Sequence, residues 1–169
     1  MAAELLLDRD VMAQYTTEGP GAPLPPTLVF ILGFFLGWMV ERFLPMEPGA
    51  GAPFGLAVAG WILAASGIAL FAWGLTTFAN VGTGIMLQQA ATQVVHKGPY
   101  RWSRNPQYVA FTLIYIGMAW MAGLLWPVAF LPAVIVVLNA AVISREERYL
   151  RGTFGRDYDA YCQRVRRWV

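Results

Sequence analysis

Long uncharged runs alternate with short polar segments along this chain, and the runs predict membrane spans. Residues 27–44 are nearly all apolar until Glu41 and Arg42, whose adjacent opposite charges mark a membrane interface. Residues 45–53 are rich in Pro and Gly and predict a turn. Residues 54–75 carry no charge and predict a second span, in which Gly55, Gly60, Ala64, Ala65, Ser66, Gly67 and Gly74 offer small surfaces for close helix contact.

Residues 109–143 are also uncharged, yet too long for one crossing, which takes about 20 residues per ~30 Å of hydrocarbon. Gly123, Pro127 and Pro132 interrupt the run, so two helices with a tight turn near residues 124–127 account for it. Each arm is short for a full crossing, which leaves a tilted or partly sunken hairpin open.

Three polar segments remain. Residues 1–26 read as a polar, Pro-rich leader, a short surface helix followed by a stiff linker. Residues 76–108 form a polar loop, and residues 144–169 a charged, aromatic segment, helical through Arg151, broken by Gly152 and Gly155, then helical again. The expected fold is all-α and integral to the membrane, with about four transmembrane helices, the last two a helical hairpin, and a cytosolic C-terminal helical segment. Residues 27–169 make one membrane domain behind the leader.

Composition sharpens this picture. Hydrophobic residues are 57% of the 169 and charged residues 13%, against roughly a quarter charged in soluble domains, which excludes a soluble fold. No small-residue cleavage site follows the first apolar run, so it reads as a retained helix. The single cysteine, Cys162, excludes an internal disulfide or a cysteine metal cluster and reads as a tolerated tail residue. No metal and no nucleic-acid partner is expected; the oligomeric state is open.

The net charge is only +2, but its distribution is informative. Of the 12 Lys and Arg, all but Arg42 fall in the leader, the 76–108 loop and the 144–169 segment. With an even number of spans these three share one face, which the positive-inside rule makes cytoplasmic, N- and C-termini included.

The same two polar segments hold the candidate chemistry, and returning the chain through the membrane brings them together. In the loop, Gly98-Pro99 and Asn105-Pro106 are turn dipeptides that hold Tyr100, Arg101 and Arg104 between two bends. Read from composition, this is either an interfacial anchor or a site. In the tail, Glu146 and Glu147 follow an apolar helix directly, and neighbouring helical residues point about 100° apart, so the two serve different roles. Pairing of Glu147 with Arg151 on a solvated face is the structural alternative. His96, the one histidine, is either a general base or an interfacial residue.

Gly98-Pro99-Tyr100-Arg101 with Arg104-Asn105-Pro106 and Tyr108, an apolar hairpin, then Glu146-Glu147, Phe154-Gly155, Tyr158 and Tyr161 resemble in order and spacing the isoprenylcysteine carboxyl methyltransferase family and its bacterial relatives. The resemblance covers about residues 77–169. It implies S-adenosylmethionine-dependent methyl transfer to a lipophilic small-molecule or lipidated acceptor at the cytosolic face of the bilayer, here a bacterial inner membrane. The sequence agrees in lacking a G-x-G-x-x-G turn.

Carried over by position, the cofactor contacts fall on Thr92, Gln93, Val94, Val95, Tyr100, Asn105, Pro106, Gln107, Tyr108 and Glu146. No catalytic residue is assigned. Two departures matter: many eukaryotic members have His-Pro where Asn105-Pro106 stands, and a basic residue thought to meet the substrate carboxylate aligns with Val142. Arg104 and Arg145 are the cations that can take its place. The alternatives are a phospholipid or small thiol or amine acceptor on the same scaffold, a non-catalytic membrane protein that retains the pocket, and a lipid-linked reductase.

Overall fold

A computed structural model describes residues 25–46, 52–81 and 94–169. Among these the chain is helical: α1 (Pro26–Phe43), α2 (Phe54–Val81), a 3-10 turn (Gly98–Arg101), α3 (Pro106–Ala122), α4 (Trp126–Val137), a π-helical segment (Leu138–Ile143), α5 (Ser144–Phe154) and α6 (Arg156–Arg164). No strand occurs among the described residues beyond one isolated bridge, Ser103 with Arg166.

Three helical stretches are long and apolar enough to cross a membrane: Pro26–Phe43, Phe54–Asn80 and Trp126–Phe154. They leave large apolar side chains outward, among them Ile31, Phe35, Trp61, Ile62, Ile68 and Val136. Such a surface is stable against lipid and not against water. The protein is therefore an integral membrane protein. α3 has 17 residues and is also apolar.

The small residues of α2 divide as their helical phase requires. Gly60, Ala64, Gly67 and Gly74 are buried, whereas Gly55, Ala65 and Ser66 are exposed. A Cβ on Gly60 would lie 2.7 Å from the Gly117 carbonyl oxygen, and one on Gly67 would lie 2.7 Å from that of Ala110. Backbones thus meet directly between α2 and α3, the contact that small residues permit where lipid supplies no hydrophobic drive.

α1 packs on α4, where Cβ atoms on Gly33 and Gly37 would run into Val134 and Pro127. Val29 and Phe30 of α1, Tyr108 and Tyr115 of α3, Val134 of α4 and the π segment's Leu138, Val142 and Ile143 form one apolar core. Glu41 fixes the far end. Its Oε2 accepts the Leu125 and Trp126 N–H groups, both at 3.0 Å, and its Oε1 accepts Met46 N–H at 3.0 Å. This carboxylate satisfies orphan donors at the start of α4, where the helix dipole favours an anion.

The end of the uncharged run is not a helix boundary. α4 continues through the π segment into α5, with Ser144 N–H bonded to the Asn139 carbonyl and Ser144 Oγ donating to that same oxygen at 2.6 Å. A π turn adds a residue to the helix and re-aims everything after it. The helix also runs through Gly152, contrary to the expected break there. It ends at Gly155, whose φ of +50° only glycine adopts without strain.

Candidate functional site

The chain enters the site through Gly98, whose φ is +57°. A Cβ there would meet Thr77 Oγ1, so glycine is required twice over, by conformation and by space. The 3-10 turn that follows sends Tyr100 inward and leaves Arg101 and Trp102 outward. The Tyr100 ring packs edge-on against Phe78 at 4.9 Å, and its carbonyl accepts the Tyr161 hydroxyl at 2.7 Å. Its own buried hydroxyl lies beside the Gln107 side chain and forms no well-aligned hydrogen bond among the described residues. Burial pushes this phenol well above its usual range, so it stays protonated and available as a donor.

Pro106 opens α3 at a position where a missing N–H costs nothing. The next two side chains turn into the protein. Gln107 is 4% exposed and lies against Gly74 of α2, where any Cβ would strike its amide. Neither its Nε2 nor its Oε1 makes a well-formed hydrogen bond among the described residues. Tyr108 is 1% exposed, and its hydroxyl donates to Glu146 Oε1 at 2.7 Å.

Glu147 faces elsewhere. It is 4% exposed, accepts Arg167 Nε at 3.0 Å and Nη2 at 2.6 Å, and pairs with Arg104 Nη1 at 3.1 Å. Hydrogen bonding to this carboxylate raises the Arg167 pKa. Arg151 pairs with Asp159 at 3.2 Å, so the solvated Glu147–Arg151 pairing is not formed. Segment 165–168 is laced to the loop beside this pair. Arg104 N–H bonds the Arg166 carbonyl at 2.9 Å, and Asn105 Nδ2 bonds that of Arg167 at 2.9 Å. Trp168 Nε1 reaches Asn139 Oδ1 at 3.3 Å, in the π segment.

The structure thus gathers Tyr100, Gln107, Tyr108 and Glu146 on one side, and Arg104, Asn105, Glu147 and Arg167 on the other. Val95 is buried and Val94 packs on the Tyr158–Tyr161–Val165 cluster, while Thr92 and Gln93 lie outside the described residues. Of the two candidate substrate cations, Arg104 is bound to Glu147 and to Cys162 Sγ at 2.9 Å, and Arg145 is exposed. Val142 is wholly buried in the apolar core. His96 is exposed, its Nδ1 3.2 Å from the Val94 carbonyl.

Sequence reasoning missed Arg167, Ser103 and Asn139, which hold the loop in place. Arg167 sits among several arginines with nothing local to single it out, and its partner Glu147 is reached only after the chain reverses at Gly155.

Chemically, the first group offers donors, acceptors and one carboxylate in a largely dry setting. It suits a ligand that carries positive charge and hydrogen-bonding groups together.

Residues 56–157 match the phospholipid methyltransferase family, which takes in the isoprenylcysteine carboxyl methyltransferases. That stretch holds Tyr100, Arg104, Gln107, Tyr108, Glu146 and Glu147. An uncharacterized protein of Haemophilus influenzae is 42% identical over 60 residues, 34% of this chain and 95% of that one. No solved structure matches the chain. The chain belongs to the phospholipid methyltransferase family, and that membership implies methyltransferase activity in a membrane.

Proposed function

We propose that this protein transfers a methyl group from S-adenosylmethionine to a lipophilic acceptor drawn from the bilayer at its cytoplasmic face. The observation that carries the reading is the set of unpaired buried polar atoms, Tyr100 Oη, Gln107 Nε2 and Gln107 Oε1, next to the Tyr108–Glu146 pair. Native proteins rarely leave such atoms unsatisfied, and a bound ligand is one way to satisfy them.

The residues present fit the group. Tyr100 and Gln107 supply hydrogen bonds for an adenosine or an amino acid moiety, Glu146 a carboxylate for its positive charge, and Tyr100 an aromatic face. When bound, S-adenosylmethionine supplies an activated methyl on a sulfonium that an acceptor lone pair displaces in line. The chain's own part is to bind, orient and exclude water, and these account for most of the rate in such a displacement. Among the described residues Glu146 is held by Tyr108 through Oε1 rather than by an arginine.

In this reading α3 crosses with α4 as the second half of a hairpin, giving four spans, since α3 runs alongside the crossing helix α2. The leader, the segment between α2 and α3, which begins after Val81 rather than at residue 76 as expected, and residues 144–169 then face the cytoplasm, in keeping with their basic residues. A phospholipid headgroup is the acceptor class favoured by the name of the matching family.

The test is titration of the detergent-purified protein with S-adenosylhomocysteine, followed by methyl transfer from radiolabelled S-adenosylmethionine to a lipid extract. Saturable binding with label in the lipid phase is expected. Absence of binding by folded protein overturns the reading, and the same titration with a nicotinamide cofactor tests the reductase alternative.

A further inference from the structure

The 3-10 turn at Gly98–Arg101 turns Tyr100 into the site but directs its next two side chains outward, and these meet a third on α2. Trp102 is 60% exposed and packs edge-on against Trp73, itself 42% exposed, with ring centroids 5.6 Å apart. The Arg101 guanidinium lies over the Trp102 ring, its Cζ 5.5 Å from the centroid. Arg101 makes no ion pair or side-chain hydrogen bond among the described residues. The salt-bridged arginines are Arg104, Arg151 and Arg167.

Depth gives this trio its meaning. α2 begins at Phe54, and Trp73 lies nineteen residues on, ~28 Å along the axis at 1.5 Å per residue. A hydrocarbon core is ~30 Å thick, so Trp73 and Trp102 reach the headgroup boundary, where amphipathic rings settle. An unpaired guanidinium fixed over an indole at that depth has one abundant counter-ion in reach, the phosphate of a membrane lipid. Arg166, also exposed, is paired by its backbone to Ser103, the residue after Trp102.

We infer that Arg101, Trp102 and Trp73 form a surface site for an anionic phospholipid, the guanidinium taking the headgroup phosphate and the two indoles flanking it at the interface. The site stands outside the Tyr100–Gln107–Tyr108–Glu146 group and does not depend on methyl transfer. It is a place where the bilayer holds the loop, whatever reaction the loop serves.

The test uses the full chain in lipid nanodiscs, reading quenching of tryptophan fluorescence by brominated phosphatidylglycerol or brominated phosphatidylcholine, each present as a minor component. Phosphatidylglycerol is expected to quench at about fivefold lower mole fraction, which corresponds to the ~1 kcal/mol of one basic residue at an anionic surface. Trp102→Phe and Trp73→Phe should each diminish the selectively quenched component, and Arg101→Gln should abolish the preference. Arg148→Gln, which removes an exposed arginine elsewhere on α5, should leave the preference intact.

Equal quenching by the two lipids in the unaltered protein would overturn the site. So would a preference that survives Arg101→Gln, or one lost equally in Arg148→Gln, because selectivity would then come from diffuse charge. Arg101→Lys guards against misfolding. It keeps the charge but loses the planar stack, and is expected to retain an intermediate preference.

Discussion

The Tyr108 hydroxyl donates to Glu146 Oε1 at 2.7 Å, joining the first turn of α3 to the first turn of α5. α4 and the π segment lie between them in sequence, so the bond forms only once the chain has turned at Gly123 and come back. Tyr108 is committed to one carboxylate oxygen, and its neighbour Gln107 is committed to nothing within the described residues. The contrast separates a side chain that holds the site from one that is free to serve it.

Glu146→Gln should lower S-adenosylhomocysteine affinity by about tenfold, ~1.4 kcal/mol, because hydrogen bonds to a charged group are worth roughly 1.5–3 kcal/mol. Gln107→Leu removes two polar atoms that make no well-formed hydrogen bond among the described residues, and should weaken binding while leaving thermal stability little changed. Equilibrium binding in detergent, alongside a melting curve for each variant, checks both. Unaltered affinity in both folded variants would move this group out of the cofactor's reach.

Glu147 predicts the opposite pattern. Glu147→Gln leaves the guanidinium groups of Arg104 and Arg167 facing an uncharged amide in a buried setting, and should cost about 3 kcal/mol of stability. Arg167→Gln should cost less, about 1 kcal/mol, because Arg167 is partly exposed and Arg104 still neutralises the carboxylate. Denaturant titration read by circular dichroism measures the two. A larger loss for Arg167→Gln than for Glu147→Gln would contradict the assignment of Glu147 as the shared anion.

At the other end of α3, ~25 Å away along its 17 residues, Glu41→Ala should destabilise the protein by about 1–2 kcal/mol. Three backbone N–H groups lose their acceptor, including the first two donors of α4. Cofactor affinity should not change, since effects at distant sites without shared partners are independent. A loss of affinity without a loss of stability would place Glu41 in the site.

Three candidate spans were legible because burial in lipid imposes a composition that no loop shares. Within α2, however, composition alone did not say which small residues face α3. Gly60 and Gly67 do and Gly55 and Ser66 do not, a distinction set by helical phase relative to a partner whose position sequence does not reveal. Tyr100, Tyr108 and Glu146 were singled out through ordered motifs, and the fold joins Tyr108 to Glu146. The pairing of Glu147 was not: Arg151 is the neighbour that helical spacing offers, and Arg167 the one that the turn at Gly155 delivers. The π segment left no trace in composition, since Leu138–Ile143 reads as any apolar helix would.

Orientation rests on charge alone and is open to a direct test. With Cys162 replaced by serine, a cysteine at Lys97 should resist a membrane-impermeant thiol reagent in intact cells and react after permeabilisation. Lys97 is exposed, so burial does not compete with topology as the cause of protection. Labelling from outside would invert the topology and put the site on the wrong face for a cytoplasmic methyl donor.

The acceptor is the least constrained element, and the cations near the site argue against a prenylcysteine carboxylate. Desolvating a carboxylate requires a compensating charge. At the position where a basic residue would supply it stands Val142, wholly buried against Leu138, Ile143 and Tyr108. Arg104 is already bound to Glu147, and Arg145 is exposed and makes no ion pair among the described residues. We therefore expect the radiolabel to pass to amine-bearing or neutral lipids in preference to N-acetyl farnesylcysteine when the two are offered separately. Should farnesylcysteine prove an efficient, saturable acceptor, Arg104→Ala and Arg145→Ala identify the cation at work. Loss of that activity in Arg145→Ala alone would mean that α5 turns its exposed face toward the acceptor. Loss in Arg104→Ala would mean that Glu147 shares its arginine with substrate.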